Sequence, residues 1–337
     1  MPKKFICTAD WHIWLRREAP TTWQIERYFC LFDYLIEACL HHHAELIVAG
    51  DVFERCEPDL DEQELALIFF RMCREAGVEV YLVSGNHCTI GPGKDTFKHL
   101  DMGKDKTIQV NYRSTDWSAH FPDDRFSLHF MNHCNLPKEI PPAGVQFEFQ
   151  EGHTNILISH FRCNYNQFVK EEIDVDHLLE PFDLAVVGDI HSRYELGKLV
   201  YTNHPINKEF QSSVDTGVLL LTIDKGTAKY ERLATNLPSL IQIRIRADEE
   251  FPALNDTDFY RIEVTGTVPE LKTISAPQAN VKLVKVPEAL QVLVQENGEQ
   301  EEIANRSLDE ELALYLGELG YDENKIDRMM TVWKEAA

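Results

Sequence analysis

Five short apolar runs in the first two thirds of the chain each stop at a small cluster of polar residues. Lys4–Ala9 runs into Asp10-Trp11-His12, Leu46–Ala49 into Gly50-Asp51, Val78–Ser84 into Gly85-Asn86-His87, Ile156–Ser159 into His160, and Leu184–Val187 into Gly188-Asp189-Ile190-His191. Runs this short and this apolar suit strands buried on both faces. Between them lie helical patterns: Ile25, Tyr28, Phe29, Phe32, Leu35, Ile36, Cys39 and Leu40 recur at helical spacing, with Thr21 and Gln24 as a capping box. A second helix is predicted over Asp61–Glu75, with Leu65, Ile68, Phe69 and Met72 on one face and Gly77 as its stop. Strand, helix, strand, helix, strand gives an α/β fold with parallel crossovers. In an open sheet of that kind ligands bind beyond the carboxyl ends of the strands, so the five clusters are expected to converge.

Further along, Asn111–Gln150 is turn-rich and reads as an antiparallel meander, Gly217–Ile223 as one more strand, and Ala234–Ser239 as a linker. Ile241, Ile243 and Ile245 then alternate with polar residues, and Phe259–Thr265 and Val281–Val286 are further strands of a small second domain. The organisation expected is 1–238, 239–290 and an acidic helical segment 291–337. In the last segment, Ser307 and Glu310 cap a helix carrying Leu308, Leu312, Tyr315, Leu316 and Leu319, and Ile326, Met329, Met330 and Trp333 mark another. Such short amphipathic helices need a docking surface.

Charge sharpens this division. The chain carries 33 Lys and Arg against 56 Asp and Glu, a formal charge of -23, which excludes nucleic-acid binding through a broad basic face. Yet Pro287–Ala337 holds 13 acidic residues against 4 basic ones, so nine of the excess charges sit there. No apolar run reaches the roughly 18 residues of a membrane span. The N-terminus enters a strand without a leader pattern, so a cytoplasmic location is expected, and the eight cysteines, lacking any CxxC pair, read as reduced thiols.

Carboxylate, imidazole and amide oxygen without thiolate suit hard or borderline divalent ions, and their number suits a two-metal hydrolytic centre. Asp10 and His12 stand two apart and in an extended segment leave on the same side, so they can share one ion. Asp51 is the natural carboxylate to offset the repulsion between two cations. A water between two cations has a lowered pKa, and an uncoordinated imidazole beside it can serve as an acid. His41-His42-His43 ends a helix and reads as a solvated turn, whereas His204 is a candidate for the cleft wall. Arg16, Arg17, Arg55, Arg162 and Arg193 each follow a polar cluster and are candidates for local phosphate contacts.

The series DWH, GDVF, GNH, SH and GDIH resembles the five motifs of calcineurin-like metallophosphoesterases, in the version of SbcD-type nuclease subunits of double-strand-break repair complexes, over about residues 4 to 223. The resemblance implies an α/β/β/α sandwich with a small α+β capping domain and a C-terminal helical hairpin, similar to the compact versions of large phages. It implies a first metal held by Asp10, His12, Asp51 and His191, a second held by Asp51, Asn86, His160 and Asp189, and His87 as the acid near the scissile phosphate. The ions implied are two divalent metals, Mn2+ or Mg2+. The activity implied is duplex-end exonuclease and single-strand endonuclease action on DNA, with a homodimer formed through the helices after Asp51 and Asn86, and an SbcC-like coiled-coil ATPase gripped by residues 307–337.

Three positions depart from that pattern. Cys88 stands where the family has an aspartate after the histidine, Asp189 stands where it has a histidine, and Ile13-Trp14 replaces a glycine. Loss of the aspartate removes a carboxylate that would orient His87, for which Asp95 is a candidate substitute; Trp14 either packs or acts as a wedge at a DNA end. Two other readings are a phosphatase of the same superfamily, since Gly50–Arg55 partly echoes GDxxDR, and a non-catalytic assembly or regulatory subunit.

Overall fold

Alternation decides the layering. In β1 (Lys3–Thr8) Ile6 points to one side, while Phe5 and Cys7 point to the other, and all three are fully buried. A strand buried on both faces needs a layer on each side. The computed structural model describes residues 2–16, 19–91, 94–97, 110–113, 115–136, 147–163, 173–211 and 214–287. The predicted helices of 307–337 lie outside these residues, as do Arg17 and the side chain of Asp95.

The other elements are α1 (Thr21–His42), β2 (Glu45–Ala49), α2 (Leu60–Ala76), β3 (Val80–Val83), a small hairpin of β4 (Thr89–Gly91) and β5 (Lys94–Asp95), and β6 (Val110–Asn111). They continue as β7 (Trp117–Phe121), β8 (Phe126–Phe130), β9 (Thr154–His160), α3 (Val175–Leu178), β10 (Leu184–Gly188), β11 (Glu195–Leu196) and β12 (Leu199–Tyr201). Then come β13 (Gly217–Asp224), β14 (Thr227–Ala234), β15 (Leu240–Arg246), β16 (Phe259–Gly266), α4 (Val268–Thr273) and β17 (Val281–Pro287). One six-stranded sheet runs β14-β13-β1-β2-β3-β6 and the other β11-β12-β10-β9-β8-β7. The β1–β2–β3 and β9–β10 pairings are parallel, as the crossover pattern requires.

Three cores follow. Ile6, Leu46, Val48 and Leu82 pack with Phe32 and Leu35 of α1 and Phe69 of α2. Phe5, Cys7, Ile47 and Val83 meet Phe126, Leu128, Ile156 and Val186 of the second sheet. On that sheet's outer face, Leu157, Ala185 and Val187 pack with Leu178, Phe161 and Phe182. The result is the α/β/β/α sandwich implied by the resemblance. The five functional strands therefore belong to two sheets rather than to one open sheet, because β9 and β10 pair with β8 and β12. The stretch 239–287 contains a three-stranded sheet, β15-β16-β17, with α4, and is α+β. By compactness the chain divides into one unit of Met1–Ile243, Ala253–Arg261 and Gln278–Lys282 and another of Arg244–Pro252, Ile262–Pro277 and Leu283–Ala337. No helix of the described residues is long and apolar enough to cross a membrane.

The helix starts differ from the sequence reading. At α1 the N-cap is Pro20 without a side-chain cap, and Thr21 lies inside the helix with its hydroxyl donating to the Leu15 carbonyl at 3.3 Å. The capping box belongs to α2, between Asp59 and Glu62. Glu62, only 1% exposed, accepts from the backbone of Leu15 (3.1 Å) and Asp59 (2.9 Å) and from the Arg55 guanidinium (2.9 Å). Arg55 is thereby held at the start of α2. Glu62→Ala strands three donors, one of them charged, and is expected to cost about 3 kcal/mol of stability in urea unfolding; a loss under about 0.5 kcal/mol, the range of an ordinary surface change, would contradict this account of the helix start.

Candidate metal centre

The ends of β1 and β2 are tied together by main-chain bonds: Asp10 N–H donates to Gly50 O (3.2 Å), His12 N–H to Asp51 O (3.0 Å) and Ile13 N–H to Val52 O (2.8 Å). Asp10, His12 and Asp51 have φ of 58°, 46° and 50°, and Asp189 after β10 has 98°. These are left-handed conformations that non-glycine residues rarely adopt, so four of the seven candidate ligands sit on strained backbone. The extended Asp10–His12 segment of the sequence reading is thus corrected; it is the left-handed turns that bring the two side chains to 3.7 Å. Two glycines give the side chains room. A Cβ on Gly50 (φ 96°) would lie 2.3 Å from His160 Nδ1, and one on Gly85 would lie 2.1 Å from Asp51 Oδ1 and 2.7 Å from Asp51 N.

All seven candidates converge. Asp10 Oδ1 stands 3.4 Å from His191 Nε2, which lies 3.0 Å from His12 Nε2; His12 Nε2 is 3.8 Å from Asp51 Oδ2. On the other side of Asp51, His160 Nε2 is 3.3 Å from Asp51 Oδ2, 3.2 Å from Asn86 Oδ1 and 3.9 Å from Asp189 Oδ1. Asn86 Nδ2 donates to Asp189 Oδ1 at 3.2 Å, and the Asp189 N–H donates to both carboxylate oxygens of Asp10 at 3.2 Å. His160 Nδ1 is 2.8 Å from the Ala49 carbonyl, so it carries the proton and Nε2 faces the carboxylates as a lone pair when the ring is neutral.

Asp10 and Asp51 are 0% and 1% exposed. Burial opposes their charge, but the imidazoles of His191, His12 and His160 hold the Asp10 carboxyl well below the usual range, and His160 and His12 lower Asp51. Burial likewise opposes charge on His160, yet Asp51, Asp10 and Asp189 push it up to about 10. The metal-free protein thus uses protonated histidine to neutralise buried carboxylates. Among the described residues three sets of donors lie within 4.8 Å of one another, Asp10 with His12 and His191, Asp10 with Asp51 and His160, and His12 with Glu54 and His87; all are oxygen and nitrogen, and the first two fit a pair of divalent cations.

His87 is set by a residue that the sequence reading leaves unassigned. Its N–H donates to Asp51 Oδ1 at 3.0 Å, and its Nδ1 is 2.6 Å from the Glu54 carbonyl, which fixes the proton on Nδ1 and leaves Nε2 for a ligand. The Glu54 carboxylate in turn stands 2.7 Å from His12 Nδ1. One residue therefore orients both rings, which lie edge to face 4.8 Å apart. The signal for it is the GDVFER stretch, whose carboxylate follows the Asp51 turn. Cys88 is fully buried in the helix-side core instead.

A cavity of about 410 Å3 lies over this centre, with Asp51, Asn86, Asp189 and His191 in its floor and His87, Arg162 and Lys208 in its wall. Arg162 Nε is 3.7 Å from Asp189 Oδ2. Of the other arginines, Arg193 pairs with Asp215 at 2.8 Å and Arg16 with Asp59 at 3.0 Å, and neither lines this cavity. His204 is buried behind His191, with ring centroids 5.6 Å apart, and burial and His191 push it down to about 4. His43 is the left-handed cap of α1 (φ 53°), and His41 and His42 lie in its last turn.

Two outcomes are expected. Below pH 6.5, the free value, His160 contributes its full ion-pair stability, which is lost as pH rises through about 10. At pH 7 it is therefore protonated in the metal-free protein, so Mn2+ added to EDTA-stripped protein releases protons. Calorimetry in buffers of different ionisation enthalpy reads this release, and its absence contradicts the assignment. Gly85→Ala, by forcing Asp51 aside, is expected to weaken Mn2+ binding about tenfold or more; unchanged binding contradicts the close approach.

No curated protein sequence matches the chain. Among solved structures it is similar to a purple acid phosphatase from yellow lupin (Lupinus luteus) seeds, at 14% identity and a TM-score of 0.43, with 70% of this chain and 52% of that one covered. The match spans about half the length of that protein. It is also similar to a single mutant of Vps29 from Entamoeba histolytica, at 12% identity and a TM-score of 0.30, covering 68% of this chain and 98% of that one. A family model, calcineurin-like phosphoesterase, matches residues 3–193, a span that includes all seven convergent residues. The strand-end donors and the matched span make this chain a member of the calcineurin-like phosphoesterases, metal-dependent phosphoesterases that use dinuclear divalent metals.

Proposed function

We propose that the chain is the metal-dependent DNA nuclease subunit of an SbcCD-like recombination or repair complex, acting on duplex ends and on single strands. The observation that carries this reading is the open cleft, in which two cationic side chains, Arg162 and Lys208, and one oriented imidazole, His87, stand around the donor groups. A phosphodiester within a strand brings flanking phosphates, which need cations beyond the reacting centre. In this reading Asp10, His12, Asp51 and His191 hold one ion and Asp51, Asn86, His160 and Asp189 the other, Mn2+ or Mg2+. When bound, such a pair supplies a water of lowered pKa and draws charge from the phosphoryl oxygens. His87, with its proton on Nδ1 shared with Glu54, presents Nε2 to the leaving oxygen and, once protonated there, gives it a proton. Asp189 in place of histidine adds a negative charge, which favours Mn2+ or Mg2+ over Zn2+. The acidic segment 307–337 as the grip on a coiled-coil ATPase, and a homodimer, belong to the same proposal.

Incubation with Mn2+ and end-labelled duplex and single-stranded DNA tests it. Wild-type protein is expected to cleave, and His87→Ala to bind Mn2+ but cleave about a hundredfold more slowly. Metal binding without hydrolysis of DNA, or a clear preference for phosphomonoesters, would overturn the reading. Deleting residues 307–337 is expected to abolish co-purification with the partner ATPase and spare Mn2+ binding; retained co-purification would refute that role for the segment.

A further inference from the structure

A second cavity, of about 380 Å3, adjoins the cleft and shares one side chain with it, Lys208. Its walls carry two aromatic rings, Trp14 and Phe210, and three cations, Arg16, Lys208 and Arg261, against one acid, Glu209. In a chain with 56 acidic and 33 basic residues, that balance runs against the composition. The volume lies within the roughly 300 to 1,000 Å3 of small-molecule sites. Rings beside cations are what an unpaired nucleotide requires: a face for the base to stack on and charge for its phosphate.

One wall is tied to the metal centre and the other to α1 and β15. Trp14 follows His12 by two residues, and Ile13 between them is fixed by a bridge to Phe53 and is itself buried. The Trp14 N–H donates to the Tyr28 hydroxyl at 3.3 Å. On the other side, Asn207, which precedes Lys208, accepts from the Arg27 guanidinium at 2.9 Å and from Leu240 N–H at 3.0 Å. Gln211, which follows Phe210, exchanges main-chain bonds with Leu240 and Gln242 at 3.2 and 2.9 Å. Phe210 rests 6.3 Å from Phe259. The cavity therefore shares the segment after β1 with two of the candidate ligands, and its other wall is anchored on α1 and β15.

We infer that this cavity holds an unpaired nucleotide of the DNA strand whose neighbouring phosphodiester lies at the metal centre, with Trp14 and Phe210 stacking on the base, Arg16 and Arg261 on its phosphate, and Lys208 bridging the two sites. The inference rests on the nuclease reading for the identity of the strand. Arg16 already leans on Asp59 at 3.0 Å and Lys208 on Glu54 at 4.0 Å, so a phosphate competes with carboxylates and binding is salt-sensitive.

The test is fluorescence-anisotropy binding of a labelled oligothymidylate of about ten nucleotides to the full chain in EDTA, where no hydrolysis occurs. Trp14→Ala and Phe210→Ala are each expected to weaken binding about tenfold, with Trp14→Phe restoring most of the loss. An abasic oligomer of the same charge is expected to bind wild-type and Trp14→Ala alike, and Arg261→Gln to lower the slope of log K against log salt by about 0.7. Binding that ignores both the abasic change and the two ring deletions overturns the inference, even if the wild-type protein cleaves DNA with Mn2+. Base-dependent binding that requires Trp14, by a protein that cleaves no DNA, keeps the pocket and discards the nuclease reading instead.

Discussion

Two buried carboxylates at the ends of neighbouring parallel strands, Asp10 after β1 and Asp51 after β2, are the constraint from which the rest of the site follows. Like charges taken out of water are costly unless cations face them. His12, after β1, and His160, brought from the second sheet, are raised by these carboxylates and supply that compensation in the metal-free protein. The left-handed backbone at Asp10, His12, Asp51 and Asp189 and the Cβ-free surfaces at Gly50 and Gly85 are local concessions to the same requirement. Stability is given up at the strand ends and recovered in the aromatic and aliphatic cores on either side of the sheets.

The orientation of the histidines depends on Glu54. With Cys88 drawn into the core, no carboxylate follows His87 in sequence, yet Glu54 reaches the ring through its carbonyl and reaches His12 through its side chain. A carbonyl sets the tautomer as a carboxylate does, without adding a full negative charge to the ring.

Much of this is legible in the sequence, and the boundary is physical. Strands buried on both faces leave unbroken apolar runs, so β1, β2, β3, β9 and β10 can be read to within a few residues, and their polar ends name all seven convergent residues. Which strands pair is not legible, because pairing depends on long-range register; the crossover pattern alone suggests one sheet where there are two. Side-chain periodicity carries no sign of φ, so the Asp10–His12 backbone reads as extended where the structure has left-handed turns. Arg55 reads as a phosphate contact and serves the start of α2, while Glu54, one position earlier, reads as part of an echo and orients two rings. On a turn, one residue's shift changes which side chain faces the centre. Trp14 is open to two readings in sequence, packing or wedge, and lines a cavity of its own.

The central claim is that these strand ends form one dinuclear centre joined through Asp51. Anomalous diffraction from a crystal of the full chain soaked in Mn2+ tests it most directly. The account requires two peaks, one among Asp10, His12, Asp51 and His191 and one among Asp51, Asn86, His160 and Asp189, with Asp51 touching both. A single peak, or a second ion that leaves Asp189 unbound, would contradict it.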